Sequence, residues 1–192
     1  MRIVGGELGG RRFRGPPPGA TRPTAERVRE AVASALDARD AIAGRVVLDL
    51  FAGTGALAFE ALSRGATRAV LVERERRVAT AADRSAGELG LASRVRVLVL
   101  DLARDPDRAA ELCARSGPFG LVFLDPPYAE VDAVPALLDA LIAAGAVEPG
   151  AKIVIEHAAR DAAPVVQGLA SVAAYRYGDT AVTMLELANE AR

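Results

Sequence analysis

Five times within one stretch of this chain, a short run of Val, Ile and Leu ends in an acid and gives way to a longer alanine-rich segment. The runs cover residues 46–49, 69–73, 95–101, 121–125 and 153–156, and their terminal acids are Asp49, Glu73, Asp101, Asp125 and Glu156. Unbroken apolarity, without polar alternation, marks strands buried on both faces, as in a parallel sheet. Parallel neighbours need a crossover of a dozen or more residues, and the spacing between successive acids leaves room for a helix each time. The chain is therefore expected to be an α/β protein of βα units in series, doubly wound. Two further strands, near residues 170–177 and 181–187, flank Gly178-Asp179, a strong hairpin signal. A short helix-like stretch is expected between Glu156 and that pair. The sheet then has seven strands, the last pair antiparallel.

Ahead of this region, residues 3–6 and 9–13 read as a glycine-rich hairpin and 16–19 as a stiff proline connector. A helix is expected from Thr24, a good N-cap, with Glu26 in its first turn. Val28, Ala31, Val32, Ala35 and Leu36 fall on its apolar face, and Arg27, Arg29 and Glu30 lie off it. Residues 1–40 form a small extension and 41–192 the main domain.

Composition narrows the chemistry. A single cysteine, Cys113, excludes an internal disulfide or a cysteine-based zinc cluster, and a single histidine, His157, leaves no His-rich metal site. No metal is expected. No apolar run reaches the length of a membrane span and no signal-peptide core is visible, so a soluble cytoplasmic protein is expected. The net charge of −1 divides unevenly, with +4 on residues 1–30 and −5 on the rest. A basic segment joined to an acidic body calls for an anionic partner. Arg11, Arg12, Arg14 and Arg22 are candidates to pair with phosphates, on an arm that neighbouring glycines are expected to keep flexible. His157 is expected to hold an incidental position at the sheet edge, Cys113 to be packing, and Tyr175 and Tyr177 to pack on the sheet.

Open parallel sheets bind ligands beyond the carboxyl ends of their strands, where strand order reverses. Residues 49–57, Asp-Leu-Phe-Ala-Gly-Thr-Gly-Ala-Leu, form the first loop at that edge. Gly53 and Gly55 allow close backbone approach, and Gly53 to Ala58 also fits the permissive dinucleotide pattern with Glu73 about 20 residues on. Two details favour S-adenosylmethionine over a dinucleotide. Asp49 can neutralise the ammonium of a methionine moiety, whereas a carboxylate there would repel a pyrophosphate. Glu73 can accept both ribose hydroxyls, and Asp101 can accept from an adenine amino group.

Asp125-Pro126-Pro127-Tyr128 closes the fourth strand. Successive prolines continue neither a ladder nor a helix, so this is a rigid extended corner. With a carboxylate before it and an aromatic after it, the corner suits methylation of an exocyclic amino group. Such a nitrogen is a poor nucleophile because its lone pair is delocalised into the ring. If the Asp125 carboxylate and the Pro126 carbonyl each accept one N–H, the lone pair turns towards the methyl donor and the developing positive charge is stabilised. Tyr128 can stack on the extruded base.

With these residues in view the chain resembles the RsmD family, bacterial methyltransferases acting on guanine N2 of small-subunit ribosomal RNA. The likeness rests on Arg2 to Gly6, Gly10-Arg11-Arg12, Thr21 to Thr24 with Arg27 to Glu30, Asp49 to Leu57, Glu60 to Ala66, Asp125 to Tyr128 and Tyr177 to Thr180. It departs from the family at Asp83-Arg84-Ser85, where the helix after the second strand tends to carry asparagine. The resemblance implies a Rossmann-like class I methyltransferase with a seven-stranded, mostly parallel sheet, a C-terminal antiparallel hairpin and an N-terminal extension that grips RNA. It implies S-adenosylmethionine held by Asp49, Phe51, Gly53, Gly55, Leu57, Glu73, Arg74, Asp101 and Leu102. Asp125, Pro126, Pro127 and Tyr128 are the expected catalytic residues, and Arg11, Arg12, Arg14, Arg22 and Thr24 the expected RNA contacts. The partner is small-subunit rRNA, free or in an assembling 30S particle, met by a monomer. Two alternatives stay open: a DNA amino-methyltransferase acting on adenine N6 or cytosine N4, and a non-catalytic RNA-binding assembly factor.

Overall fold

The seven strands form one sheet in the order β3-β2-β1-β4-β5-β7-β6. The structure is a computed structural model, and it describes residues 1–15 and 26–188. Its elements are α1 (Glu26–Asp37), β1 (Val46–Leu50), α2 (Ala56–Ser63), β2 (Arg68–Glu73), α3 (Arg76–Glu88), β3 (Val95–Val99), α4 (Pro106–Ala114), β4 (Phe119–Leu124), a 3-10 turn (Tyr128–Ala133), α5 (Val134–Ala143), β5 (Val147–Ala158), β6 (Leu169–Tyr177) and β7 (Thr180–Leu187). Strands β1 to β5 run parallel. β7 is antiparallel to both β5 and β6, so it alone is reversed.

Alternation along the strands sorts their side chains into two cores. Val47, Leu71, Phe123, Val154 and Met184 face one side, where they meet Val32 and Leu36 of α1, Phe59 and Leu62 of α2, and Ala82 and Ala86 of α3. Leu48, Val70, Val122, Ile155 and Leu185 face the other, against Cys113 of α4 and Leu137, Leu138 and Leu141 of α5. The result is a sheet between two helical layers, which explains why its strands are apolar throughout. Cys113 is fully buried there, and that burial pushes its thiol up to about 11, so it packs and does not react.

From β1 the chain winds outward through β2 to β3, then returns to place β4 on the other side of β1. Strand order therefore reverses between β1 and β4, and a crevice opens there at the carboxyl edge.

Three expectations need correction. No helix lies between β5 and β6: the strand runs on to Ala158 because β7 pairs with it as far as Ala158↔Thr180, and Pro164 interrupts the segment beyond. Arg29 does not lie off the packed face of α1 but is wholly buried. Its Nη2 donates to the Arg2 carbonyl at 2.6 Å, and its Nε lies 3.7 Å from the equally buried Glu60 carboxylate.

The third concerns residues 1–15, which are not a loose arm. They form a hairpin through the Arg2↔Arg12 bridge and bury Ile3 and Phe13, the latter edge-on to Phe59 at 5.3 Å. Glu60 accepts the Val4 and Gly5 amides at 2.8 Å each, and the Ser63 hydroxyl accepts that of Leu8. Gly6 sits at φ +74° against the Ser63 carbonyl, leaving no space for a Cβ. Its glycines thus serve turns and close packing. The hairpin, α1 and the sheet share one core, whatever functional division residues 1–40 carry. Among the described residues, no helix is long and apolar enough to cross a membrane.

Candidate functional site

The register of the sheet decides which acids meet. Asp49 lies two residues beyond Val47, Glu73 two beyond Leu71, Asp125 two beyond Phe123 and Glu156 two beyond Val154. Because side chains alternate with period two, all four lie on the same sheet face; Asp49 is level with Leu71 and Phe123, and the other three stand one step nearer the carboxyl edge. There they line a cavity of about 610 Å³ at the crevice between β1 and β4, together with Phe51, Gly53, Leu57, Arg74, Leu102, Pro126 and Pro127. A cavity of that size suits a nucleoside-sized ligand.

Asp49 is only 2% exposed, and its Oδ2 accepts the Ala58 amide at 3.2 Å in the first turn of α2. Burial pushes its carboxyl well above the ordinary range, and the negative charges of Asp125 and Glu73 push it the same way. An anion so placed favours a cationic ligand group. The turn that follows holds Phe51 at φ +59°, a backbone state rare for a bulky residue and one that marks functional loops. Glu73 reaches across from β2: one carboxylate oxygen accepts the Gly53 amide at 3.0 Å and the other the Glu75 amide at 2.8 Å. Each oxygen keeps acceptor capacity for a hydroxyl.

The two loop glycines differ in purpose. Gly53 borders the cavity. Gly55, at φ +75° before α2, does not; a Cβ on it would lie 2.6 Å from a Leu71 methyl carbon, so its role is packing. Asp101 also lies outside the cavity wall and is exposed, accepting the Arg104 amide at 3.3 Å. Its neighbours Leu100 and Leu102 face the cavity instead.

At the fourth strand end Pro126 is buried, and Pro127, at φ −54° and ψ 145°, leads into the 3-10 turn. The Pro127 carbonyl accepts the Glu130 amide at 2.8 Å. Tyr128 opens that turn, and its side chain lies outside the described part of the structure, as do Arg22 and Thr24 altogether. Glu130, not expected from sequence, pairs with Arg74 and so ties the turn to the end of β2 beside the cavity.

The far wall comes from Glu156, Tyr177 and Thr180, contributed by β5 and the β6–β7 hairpin. Glu156 was visible as a strand-end acid; the hairpin residues were visible only as a motif. The His157 ring is fixed inward, with Nδ1 3.1 Å from the Ala158 carbonyl and Nε2 2.9 Å from the Thr183 hydroxyl. A carbonyl only accepts, so Nδ1 donates to it, while the Thr183 hydroxyl can serve Nε2 as either donor or acceptor.

The basic hairpin borders α3. Arg11 donates to the Glu88 and Leu89 carbonyls at 2.9 and 2.8 Å, capping the end of that helix, while Ser85 donates to the Arg14 carbonyl at 2.8 Å. Ser85 belongs to the Asp83-Arg84-Ser85 stretch, and its hydroxyl fastens the hairpin to α3. Arg12 and Arg14 are exposed.

Strand order, switch-point cavity and strand-end acids together define a Rossmann-like methyltransferase fold. The comparisons narrow this. A family model described as "Conserved hypothetical protein 95" matches residues 1–186, and the chain belongs to this family of RsmD-type methyltransferases. It is 36% identical over 128 residues to ribosomal RNA small subunit methyltransferase D of Escherichia coli, a match covering 67% of this chain and 60% of that one. It is 33% identical over 157 residues to a putative rRNA methyltransferase of Bacillus subtilis, covering 82% of each. Among solved structures, a putative methyltransferase from Escherichia coli superposes with a TM-score of 0.80 at 29% identity, covering 99% of each chain. An RNA methyltransferase from Salinibacter ruber in complex with S-adenosylhomocysteine shares the fold, with a TM-score of 0.61 at 20% identity over 89% of this chain and 97% of that one.

Proposed function

We propose that this protein is an S-adenosylmethionine-dependent methyltransferase of the exocyclic N2 amino group of a guanine in small-subunit ribosomal RNA, acting in the cytoplasm on free rRNA or on an assembling 30S particle. The observation that carries the reading is the convergence of Asp49, Glu73, Asp125 and Pro126 on one cavity at the switch point. The donor fits these residues. A buried carboxylate that resists ionisation wants a cation, and Asp49 supplies that partner for an ammonium. Glu73 has acceptor capacity for ribose hydroxyls, with Phe51, Gly53, Leu57 and Leu102 completing the walls.

When bound, S-adenosylmethionine supplies an electrophilic methyl group on a sulfonium. This chain's part is to make a weak nucleophile competent. The Asp125 carboxylate and the Pro126 carbonyl accept the two N–H groups of the amino nitrogen and so set the direction of its lone pair. Asp125 stabilises the positive charge that grows on that nitrogen, in a crevice where water is largely displaced. Tyr128 stacks on the extruded base. Arg12, Arg14 and Arg22, with Arg11 and Thr24, meet the RNA backbone. The names of the relatives point to ribosomal RNA as the acceptor.

The test supplies labelled donor with purified rRNA, 30S particles or DNA, followed by nucleoside analysis. Label in N2-methylguanosine from rRNA or 30S particles is expected. Label confined to DNA, or absent from all three, overturns the reading.

A further inference from the structure

We propose that Glu156 selects guanine, by accepting the N1–H of the base whose amino group Asp125 holds. The proposal deepens the methyltransferase reading above and rests on it.

β4 and β5 are parallel neighbours, paired Phe123↔Val154 and Leu124↔Ile155. The next residue on each strand is Asp125 and Glu156, so the two acids stand side by side at the carboxyl edge, about 4.8 Å apart in backbone spacing. Paired positions in a sheet share a face. Phe123 and Val154 lie in one core and Leu124 and Ile155 in the other, which puts Asp125 and Glu156 together on the cavity side. Both acids line the cavity, with Pro126 beside them. Both are partly exposed.

Two adjacent carboxylates present two adjacent acceptors, and this pattern distinguishes the bases. In guanine one of the two ring nitrogens flanking the amino group, N1, carries a hydrogen, so the Watson–Crick edge offers donor beside donor. In adenine, N1 next to the N6 amino group carries a lone pair, and in cytosine N3 next to the N4 amino group does too. Asp125 and Pro126 alone serve any exocyclic amino group. A second carboxylate beside Asp125 accepts from guanine and faces the lone pair of adenine or cytosine with like polarity. A site built to accept a particular N–H rejects analogues lacking it far more strongly than an apolar pocket rejects a misfit. Glu156 thus decides between guanine and the two bases methylated in the alternative DNA reading. The proposal requires only that one of its oxygens can accept a further hydrogen bond.

The decisive probe is 2-aminopurine, which keeps the amino group but carries a lone pair at N1. Once the modified guanine is mapped, rRNA is built by ligation with either guanine or 2-aminopurine at that position. The wild-type enzyme is expected to favour guanine by about 100-fold or more in kcat/KM. In Glu156→Gln, whose amide can donate to the bare N1, the preference is expected to shrink to about tenfold or less, with S-adenosylhomocysteine affinity and urea unfolding unchanged. Equal turnover of both substrates by the wild-type enzyme overturns the proposal, even if the variant fails to fold. So does a folded Glu156→Gln enzyme that keeps the full preference. Absence of methylation on either RNA by the wild-type enzyme overturns the parent reading as well, which separates the two failures.

Discussion

The Glu73 carboxylate at the end of β2 accepts the Gly53 amide at 3.0 Å, so the second strand anchors the loop that leaves the first. One side chain therefore shapes the glycine turn and presents acceptors to the cavity. Glu73→Gln keeps the size but loses the charge and one pairing geometry. Hydrogen bonds to charged groups contribute about 1.5–3 kcal/mol, so S-adenosylhomocysteine should bind about 10- to 150-fold more weakly. Isothermal titration calorimetry measures this, and unchanged affinity would remove Glu73 from the donor site.

Asp49 makes the site sensitive to pH. Its folded pKa lies above the unfolded value, so the apo protein holds this proton to higher pH than the unfolded chain does. That linkage makes stability fall as pH rises from the unfolded pKa through the folded one. A donor ammonium requires the carboxylate, so affinity should rise about tenfold per pH unit below the raised pKa and then level off. Asp49→Asn should abolish the pH dependence, stabilise the apo protein at neutral pH and weaken donor binding. Titrations in buffers of different ionisation heat, which count released protons, check the sign; proton uptake on binding would contradict it.

Asp125 should separate chemistry from donor binding. Asp125→Ala removes one of two acceptors for the amino group and the charge that stabilises the developing cation, so methyl transfer should fall at least about 100-fold. Affinity for S-adenosylhomocysteine should stay within a few-fold. Single-turnover assays with labelled donor decide, and undiminished transfer would sink the mechanism.

Glu60 carries the join between the hairpin and α2. It accepts the Val4 and Gly5 amides and the Arg64 Nε, and it faces buried Arg29, whose Nε and Nη1 have no hydrogen-bond partner among the described residues. Removing one partner of a buried ion pair strands the other, so Glu60→Ala should cost about 3–5 kcal/mol in urea unfolding. Burial already holds the Arg29 pKa below its usual value, which fits a guanidinium dependent on that neighbour.

The exposed guanidiniums of the hairpin should act on RNA through charge. Arg11 caps α3, so the informative variant is Arg12→Ala with Arg14→Ala, which leaves the cap in place. If each meets one phosphate of single-stranded RNA, the slope of log K against log salt should flatten by about 1.4. An unchanged slope would place the RNA path elsewhere.

The run of apolar strands ending in acids determined the α/β class, and the Gly178-Asp179 turn determined a terminal hairpin, because burial on both faces and turn chemistry are local properties. The strand-end positions of Asp49, Glu73 and Asp125 were legible for the same reason. Which of the five acids share a cavity was not, since that depends on register and on where each strand ends relative to its neighbours. Asp101 follows the edge strand β3 and binds its own loop; Glu156 lies within β5, which continues to Ala158, and stands beside Asp125. Gly55 looked like part of a ligand loop, and only the neighbouring Leu71 and Phe59 side chains show that it is there to be small. The basic N-terminus looked like a loose arm because glycine and arginine say nothing of their partners. Tertiary structure supplied Glu60 and Ser63, which accept backbone amides more than fifty residues away along the chain and turn the arm into a fixed wall of the fold.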